Sequence, residues 1–451
     1  MRAVPTTAWF AAGAAVLAAD ALSGIEATTY AAAAIAVLSI ALGVTIFLRH
    51  GGEQITVAGI YSLAFAVFGG FAGIYLVLNP SAQVTPGYLL AAGSIAYAGQ
   101  VLMWAIFWTG SGGAVARRAV FADRPSVSTV IVGVALIAGA VFVFGGIPGL
   151  GIVSAACGFV GVVLVAVGTQ CAGPGRRMLW CVPSIAAFAV YYTHLFGGWG
   201  RIVVVSLAIA VVMVLCHRPV GRFVKPAMLV SVGPGLVALS QIHGSGFGSE
   251  LSRERGIGSV VSPLESFAVL LAQHFDGLLP VAFGRTFLAA AVALVPRAFW
   301  PDKPVGFGAE LVPYISPDLT GTAQSDAALF QGEWLFNFGL PGLLLMVPVT
   351  GVLVRWLDDL LARATARPLG TLQANLLYAA VLIAGTGVID LVWVGTFSYA
   401  ARAGARLAVL AAVLAVARLL RARSGETLEP GAGPGWPPTP TGGLVDAGRS
   451  G

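Results

Sequence analysis

Charge is what this chain has least of. Only 10% of its 451 residues are Asp, Glu, Lys or Arg, against 58% hydrophobic residues. A soluble domain carries about 25% charged residues, so a water-covered globular surface is excluded. Cysteine is scarce as well. Cys157, Cys171, Cys181 and Cys216 all lie in or beside apolar runs, with no CxxC spacing. That pattern gives neither a disulfide framework nor a zinc site, and the four read as small core residues. There is no P-loop, no GxGxxG after a strand, no HExxH and no GxSxG. No basic run is interleaved with aromatics, so the net charge of +6 is not a nucleic-acid signal. No cofactor and no metal is expected.

What is present is apolar length. Continuous apolar runs of about 20 residues recur, the length that crosses the hydrocarbon of a bilayer as a helix. They do not alternate, as the shorter strands of a membrane barrel would. The expected fold is all-α: a polytopic membrane protein of about twelve spans. These fall near residues 4–22, 27–48, 55–79, 86–108, 128–147, 150–172, 178–196, 201–216, 227–242, 328–354, 371–393 and 399–420. The chain then divides into a nine-span region (1–242), a large loop (243–327), a three-span region (328–420) and a tail (421–451). The tail beyond Gly425 is rich in Pro and Gly and reads as disordered. The small-residue end of the first run resembles a signal-peptide terminus, but its basic region is only Arg2, which favours an uncleaved span.

Positive charge orients the bundle. Alternate loops carry Arg49; Arg117, Arg118 and Arg124; Arg176 and Arg177; Arg218, Arg222 and Lys225; Arg355, Arg363 and Arg367; and Arg418, Arg421 and Arg423. The intervening loops at 23–26, 80–85, 146–149 and 395–398 carry no Lys or Arg. Cytoplasmic loops of membrane proteins hold the excess of Lys and Arg, so both termini are expected in the cytoplasm and the large loop outside.

That loop breaks the rhythm. It holds Glu250, Arg253, Glu254, Arg255, Glu265, His274, Asp276, Arg285, Arg297, Asp302, Lys303, Glu310, Asp318 and Asp326. Long loops translocate whatever their charge, so any one of these can be a solvated surface group. Two features ask for more. Residues 267–279 have helical apolar spacing and read as an interfacial helix, and 286–295 is apolar but too short to span. Residues 295–304 set Arg297 and Lys303 among three prolines, beside Phe299 and Trp300. Stiffly held cations at a lipid interface suit a phosphate or diphosphate.

The run VPRAFWPDKPVGFG, residues 295–308, resembles the "(I/V)PR-x-(L/F)WP-x-KP" element of bacterial O-antigen polymerases, the oligosaccharide repeat-unit polymerases. LFQGEWLFNFGLPG, residues 329–342, is similar to that family's "GE-x-(Y/L)-x-NFG-x-x-G" stretch, with Glu333, Asn337 and Gly339 in the matching places. Gly145-Gly-Ile-Pro148 resembles a shorter element of the family. The likeness covers the spans, the loop and these motifs, and does not extend to the Ala/Val/Leu-rich helices. It implies an enzyme of the inner membrane's outer face, related in architecture to metal-independent, lipid-dependent GT-C-type glycosyltransferases. Such an enzyme joins repeat units carried on undecaprenyl diphosphate into an O-antigen, capsule or exopolysaccharide. Membrane lipids, a chain-length regulator and a flippase are the implied partners.

That chemistry needs a diphosphate stabilised and a hydroxyl deprotonated. The candidates for holding the diphosphate are Arg297 and Lys303, with Arg253, Arg255 and Arg285 in support. The competing reading of Arg297 and Lys303 is snorkelling to headgroups. Arg402 and Arg406 lie one turn apart at the outer end of the last span, where charge is costly; either they bind substrate or they pair with Asp390 structurally. Glu333, His274 and Asp276 are the candidate bases, Glu333 being equally readable as a helix-N-terminal carboxylate. Asn337 reads as a packing contact. Two other functions compete: a lipid-linked oligosaccharide flippase, against which the lack of a half-repeat argues, and an O-antigen ligase-like transferase using the same donor.

Overall fold

The structure, a computed structural model, describes residues 6–23, 27–109, 120–122, 124–147, 150–170, 177–196, 200–216, 221–242, 256–297, 299–322 and 325–423. The chain divides into two units, Met1–Leu410 and Ala411–Gly451.

The first part runs α1 Thr6–Ser23, α2 Ala27–Arg49, α3 Val57–Phe65, α4 Ala72–Leu78 and α5 Pro86–Thr109, with a π-helical turn between α3 and α4. Then come α6 Val127–Gly139, α7 Gly151–Thr169, α8 Arg177–Val190, α9 Ile202–Leu215 and α10 Gly221–Ile242. α6 and α8 each end in a π-helical turn, the second being Tyr191–Leu195. α11 Gly258–Phe275, α12 Arg285–Ala291 and α13 Phe307–Ile315 precede the long α14, Leu329–Thr365. α15 Leu372–Thr386, α16 Val388–Trp393 and α17 Thr396–Arg423 complete the order. The described residues are otherwise without sheet, save a two-residue parallel pairing of Val120–Phe121 with Pro368–Leu369.

Ten helices among the described residues are long and apolar enough to cross a membrane. Two shorter apolar helices, Cys181–Leu195 and Ile202–Leu215, fall where the seventh and eighth spans are expected. Large apolar side chains also point away from the body along these helices, among them Val127, Ile131 and Phe142, and Leu344, Leu345, Val352 and Trp356. Water does not tolerate that surface, whereas lipid solvates it. The protein is a membrane-embedded, polytopic helical protein.

The core centres on α7, where Phe159, Val160, Val162, Val163 and Leu164 are fully buried. α6 meets it at van der Waals closeness: a side chain at Gly133 would stand 2.8 Å from the Gly161 carbonyl, and one at Gly161 2.7 Å from that of Gly133. Small residues let membrane helices approach this closely.

α11 differs from the interfacial helix expected over 267–279. It starts earlier, and Val260, Val261, Leu264, Phe267, Leu270 and Leu271 are buried among neighbouring helices. Its face from one turn to the next is apolar enough to belong to the bundle, despite lying within the sequence's charged stretch. α14 likewise runs past residue 354, because Leu357 and Leu361 continue its buried stripe.

α14 is interrupted at Gly339, whose φ of 65° and ψ of −155° are not helical. Pro341, two residues on, has no N–H to give the Asn337 carbonyl, and its ring displaces that carbonyl. The carbonyls of Phe336 and Asn337 are therefore free, and the backbone N–H groups of Ala282 and Phe283 donate to them at 3.0 and 2.9 Å. The interruption is the dock to which the 276–306 segment is tied.

Candidate functional site at the loop end of the bundle

The dock is completed by side chains. Glu333, one turn into α14, is fully buried. Its Oε1 accepts from the Thr286 hydroxyl at 3.1 Å, and its Oε2 from the Thr396 backbone N–H at 2.6 Å. Asn337, also fully buried, donates from Nδ2 to Thr286 Oγ1 at 2.6 Å and to the Glu333 carbonyl at 2.7 Å. Its Oδ1 accepts from the Thr286 N–H at 3.3 Å. α12, α14 and the turn into α17 are thus cross-linked by one satisfied polar network. The turn contributes Gly395, whose φ of +115° suits glycine, and where a Cβ would lie 2.5 Å from Glu333 Oε2.

The two resemblance runs meet here. Phe307 packs on Phe336 with ring centroids 5.9 Å apart, and its ring stands against Gly332. Gly306 rests directly on the Phe397 ring.

The candidate cations fall into three places. Arg285, at the start of α12, is exposed and forks onto the Glu310 carboxylate through Nε and Nη2. That hydrogen-bonded carboxylate holds the Arg285 guanidinium above its ordinary value. Arg297 is exposed, and its Nη1 donates to the Pro301 carbonyl at 2.9 Å. Lys303 is half-buried and donates to the carbonyls of Ala293, at 3.1 Å, and Val295, at 2.6 Å. It braces the proline-rich turn from below, while Arg297 and the exposed Phe299 face outward. Arg253 and Arg255 lie outside the described residues.

The third place lies along α17. Arg402 pairs through Nη1 with Oδ1 of the buried Asp390. Arg406 is 3% exposed and stacks over the Phe159 ring, 3.7 Å from its centroid. Of the two arginines on this face, Arg402 contacts Asp390 directly, while Arg406 is within its electrostatic reach and packs on Phe159.

Of the candidate bases, His274 is half-exposed at the end of α11; a side chain at Gly339 would touch its imidazole at 3.3 Å. Asp276 is exposed just beyond α11. His274 is thus brought to the α14 interruption, close to the network, and Asp276 is not. Among the described residues no group of His, Cys, Asp and Glu is placed to hold a metal ion.

Sequence reasoning missed two elements. Thr286 is the hub of the network, and a lone Thr in an apolar run gave no signal. At the other end of α14, Asp358 Oδ2 lies 2.6 Å from His50 Nε2, and Oδ1 accepts from Val57 N at 2.7 Å and Ala58 N at 3.2 Å. Lys225, expected in a loop, is buried at the start of α10 and donates to the His50 carbonyl at 2.6 Å. The visible sign was an Asp pair, Asp358-Asp359, in an otherwise apolar helix.

Compared with family models, curated proteins and solved structures, the chain finds no significant match.

Proposed function

We propose that this protein polymerises undecaprenyl-diphosphate-linked oligosaccharide repeat units at the outer face of the cytoplasmic membrane. In this reading it has twelve spans in a GT-C-type architecture, with both termini cytoplasmic and the 243–327 segment on the outer side, its α11 packed into the bundle. The growing chain leaves its lipid diphosphate for a hydroxyl of the next lipid-linked unit, and the product is an O-antigen, capsule or exopolysaccharide. A flippase delivers the units and a chain-length regulator works alongside.

The observation that carries the reading is the packing of the two resemblance runs on each other, Phe307 on Phe336 and Gly332, around a buried polar dock. The two motifs are separate runs of the sequence, and each supplies one side of the same joint. The segment tied to it carries Arg285, Arg297 and Lys303, cations of a kind that stabilises a leaving diphosphate without a metal. Arg297 is the most available of them, with only one of its five N–H groups committed, to Pro301. Lys303 keeps the Arg297 turn in shape, and Arg285 is paired with Glu310.

The test is a deletion strain complemented with wild type or Arg297→Ala, with surface glycan resolved on a gel. Wild type is expected to restore a long ladder. The variant, present at equal level in the membrane, should leave single lipid-linked units exposed outside. Single units accumulating on the cytoplasmic side would instead identify a flippase.

A further inference from the structure

Asp390 and Arg406 are both buried charged residues, and each has an atom with nothing to bond. Asp390 Oδ1 accepts from Arg402, but its Oδ2 has no hydrogen-bond partner among the described residues. Arg406 stacks on Phe159, but its Nη1 has no acceptor among the described residues. Both side chains are more than nine-tenths buried, and Arg406 is within electrostatic reach of Asp390, Arg402 and Tyr191. An unmet acceptor and an unmet donor in one low-dielectric cluster are each costly. An anion would satisfy Arg406 and be repelled by Asp390, and a cation would do the reverse. The group that satisfies both donates one hydrogen bond and accepts another, which is the chemistry of a hydroxyl.

We propose that Asp390 Oδ2 and Arg406 Nη1 form the binding point for the acceptor sugar hydroxyl, with Asp390 taking its proton; this rests on the polymerase reading above. The hydroxyl donates to Oδ2 and accepts from Nη1. Its oxygen then bonds to the anomeric carbon of the donor chain. The bond from that carbon to the diphosphate oxygen breaks, the diphosphate leaves with the electron pair, and the proton passes to Asp390. Arg402 is the most exposed member of the cluster: its side chain is 29% exposed while that of Asp390 is 1% exposed, and it packs so closely on Gly200 that a Cβ there would stand 2.6 Å from Arg402 Nη2. Glu333 is placed differently, since both of its oxygens already accept hydrogen bonds.

The charged and titratable groups around Asp390 are Arg402 and Arg406 on α17 and Tyr191 after α8. Tyr399 packs beside them on Gly387, its hydroxyl spent on the Ala384 carbonyl. The carboxylate on the neighbouring α14 is Glu333, across the turn that holds Gly395, so the acid limb is assigned to Asp390 only by its loss in Asp390→Asn.

The experiment uses the full chain in nanodiscs, with lipid-linked repeat units extracted from the deletion strain. Initial rates are measured against acceptor concentration and pH. Asp390→Asn keeps the size of the side chain and an oxygen for Arg402. It is expected to lower kcat by about 10²–10⁴-fold with little change in acceptor KM, and to abolish the fall in rate on the acid side. Arg406→Gln is expected to raise acceptor KM about tenfold or more, the worth of a charge-assisted hydrogen bond. It carries the test if Asp390→Asn does not fold. Retention of the acid limb in Asp390→Asn, or an unchanged acceptor KM in Arg406→Gln, means the two atoms enclose only water and overturns the proposal alone. Wild-type protein that links no units at all overturns the polymerase reading and this proposal with it.

Discussion

Thr286 and Glu333 hold each other across the loop end of the bundle: the Thr286 hydroxyl donates to Glu333 Oε1 at 3.1 Å and accepts from Asn337 Nδ2 at 2.6 Å. One hydroxyl thereby satisfies a carboxylate and an amide, both fully buried. Thr286→Val preserves the shape of the side chain and strands both partners. Leaving a buried polar group unpaired costs about 1–3 kcal/mol. Thermal unfolding in detergent is expected to show a loss of at least that size. Thr286→Ser, which keeps the hydroxyl, should recover most of it, and equal melting of Val and Ser variants would refute the hub role.

Gly395 tests the same network from its other side. Its φ of +115° disfavours any side chain, and a Cβ would meet Glu333 Oε2 at 2.5 Å. Gly395→Ala is expected to cost about 1–3 kcal/mol through backbone strain, with the displaced carboxylate adding to it. Gly52 is the comparison: its φ is +62°, but nothing lies within 4 Å of the added Cβ. Gly52→Ala carries only the backbone term. Melting temperatures of the two variants should differ in that order, and a Gly395→Ala protein as stable as Gly52→Ala would remove the steric argument.

How far the sequence reached follows from the range of each interaction. Membrane helices were legible because lipid demands long unbroken apolar runs, a local property of the chain. α11 was not, since Glu265 and His274 made it look like surface, and only its packing partners reveal that Val260, Leu264 and Leu271 are core. The Gly339 interruption was hidden inside an apolar span, although Asn337, Gly339 and Pro341 all stood in the run that drew notice. Within the site, Arg402 was rightly set beside Asp390 as a possible partner, because charge inside a span must find one. The separate fate of Arg406 depended on Phe159, far off in the chain, and no spacing rule reaches that distance.

His50 and Asp358 are 308 residues apart and bond at 2.6 Å. Asp358 also caps the start of α3 through the N–H groups of Val57 and Ala58, donors that a helix leaves free in its first turn. Asp358→Ala removes all three contacts and leaves the buried Lys225 without its nearest countercharge. Leaving a buried polar group without its partner costs about 1–3 kcal/mol, and a loss of at least that order is expected on denaturation. His50→Leu combined with Asp358→Leu restores apolar packing against Trp104, Phe107 and Trp108 but not the cap. It is expected to be less damaging than Asp358→Ala, and a larger loss in the double variant would show that the His50–Asp358 hydrogen bond itself is what holds this end.

Arg297 and Lys303 stand six residues apart on the same turn and are expected to fail differently. Lys303 gives two of its three N–H groups to the Ala293 and Val295 carbonyls, so Lys303→Met releases the turn. Each hydrogen bond from a charged group is worth about 1.5–3 kcal/mol, discounted here because the site is half-exposed. Amide hydrogen exchange over residues 292–304 should therefore accelerate in Lys303→Met. Arg297 is exposed and holds only the Pro301 carbonyl, so Arg297→Ala should leave both exchange and melting close to wild type. Under the proposed polymerase function, glycan chain length is expected to fall in both, by loss of a substrate contact in one and by disorder of the turn in the other. Arg297→Lys separates a planar forked contact from a plain charge. If the diphosphate is gripped in a bidentate manner, lysine restores little of the ladder, whereas full restoration would mean that position 297 supplies charge alone.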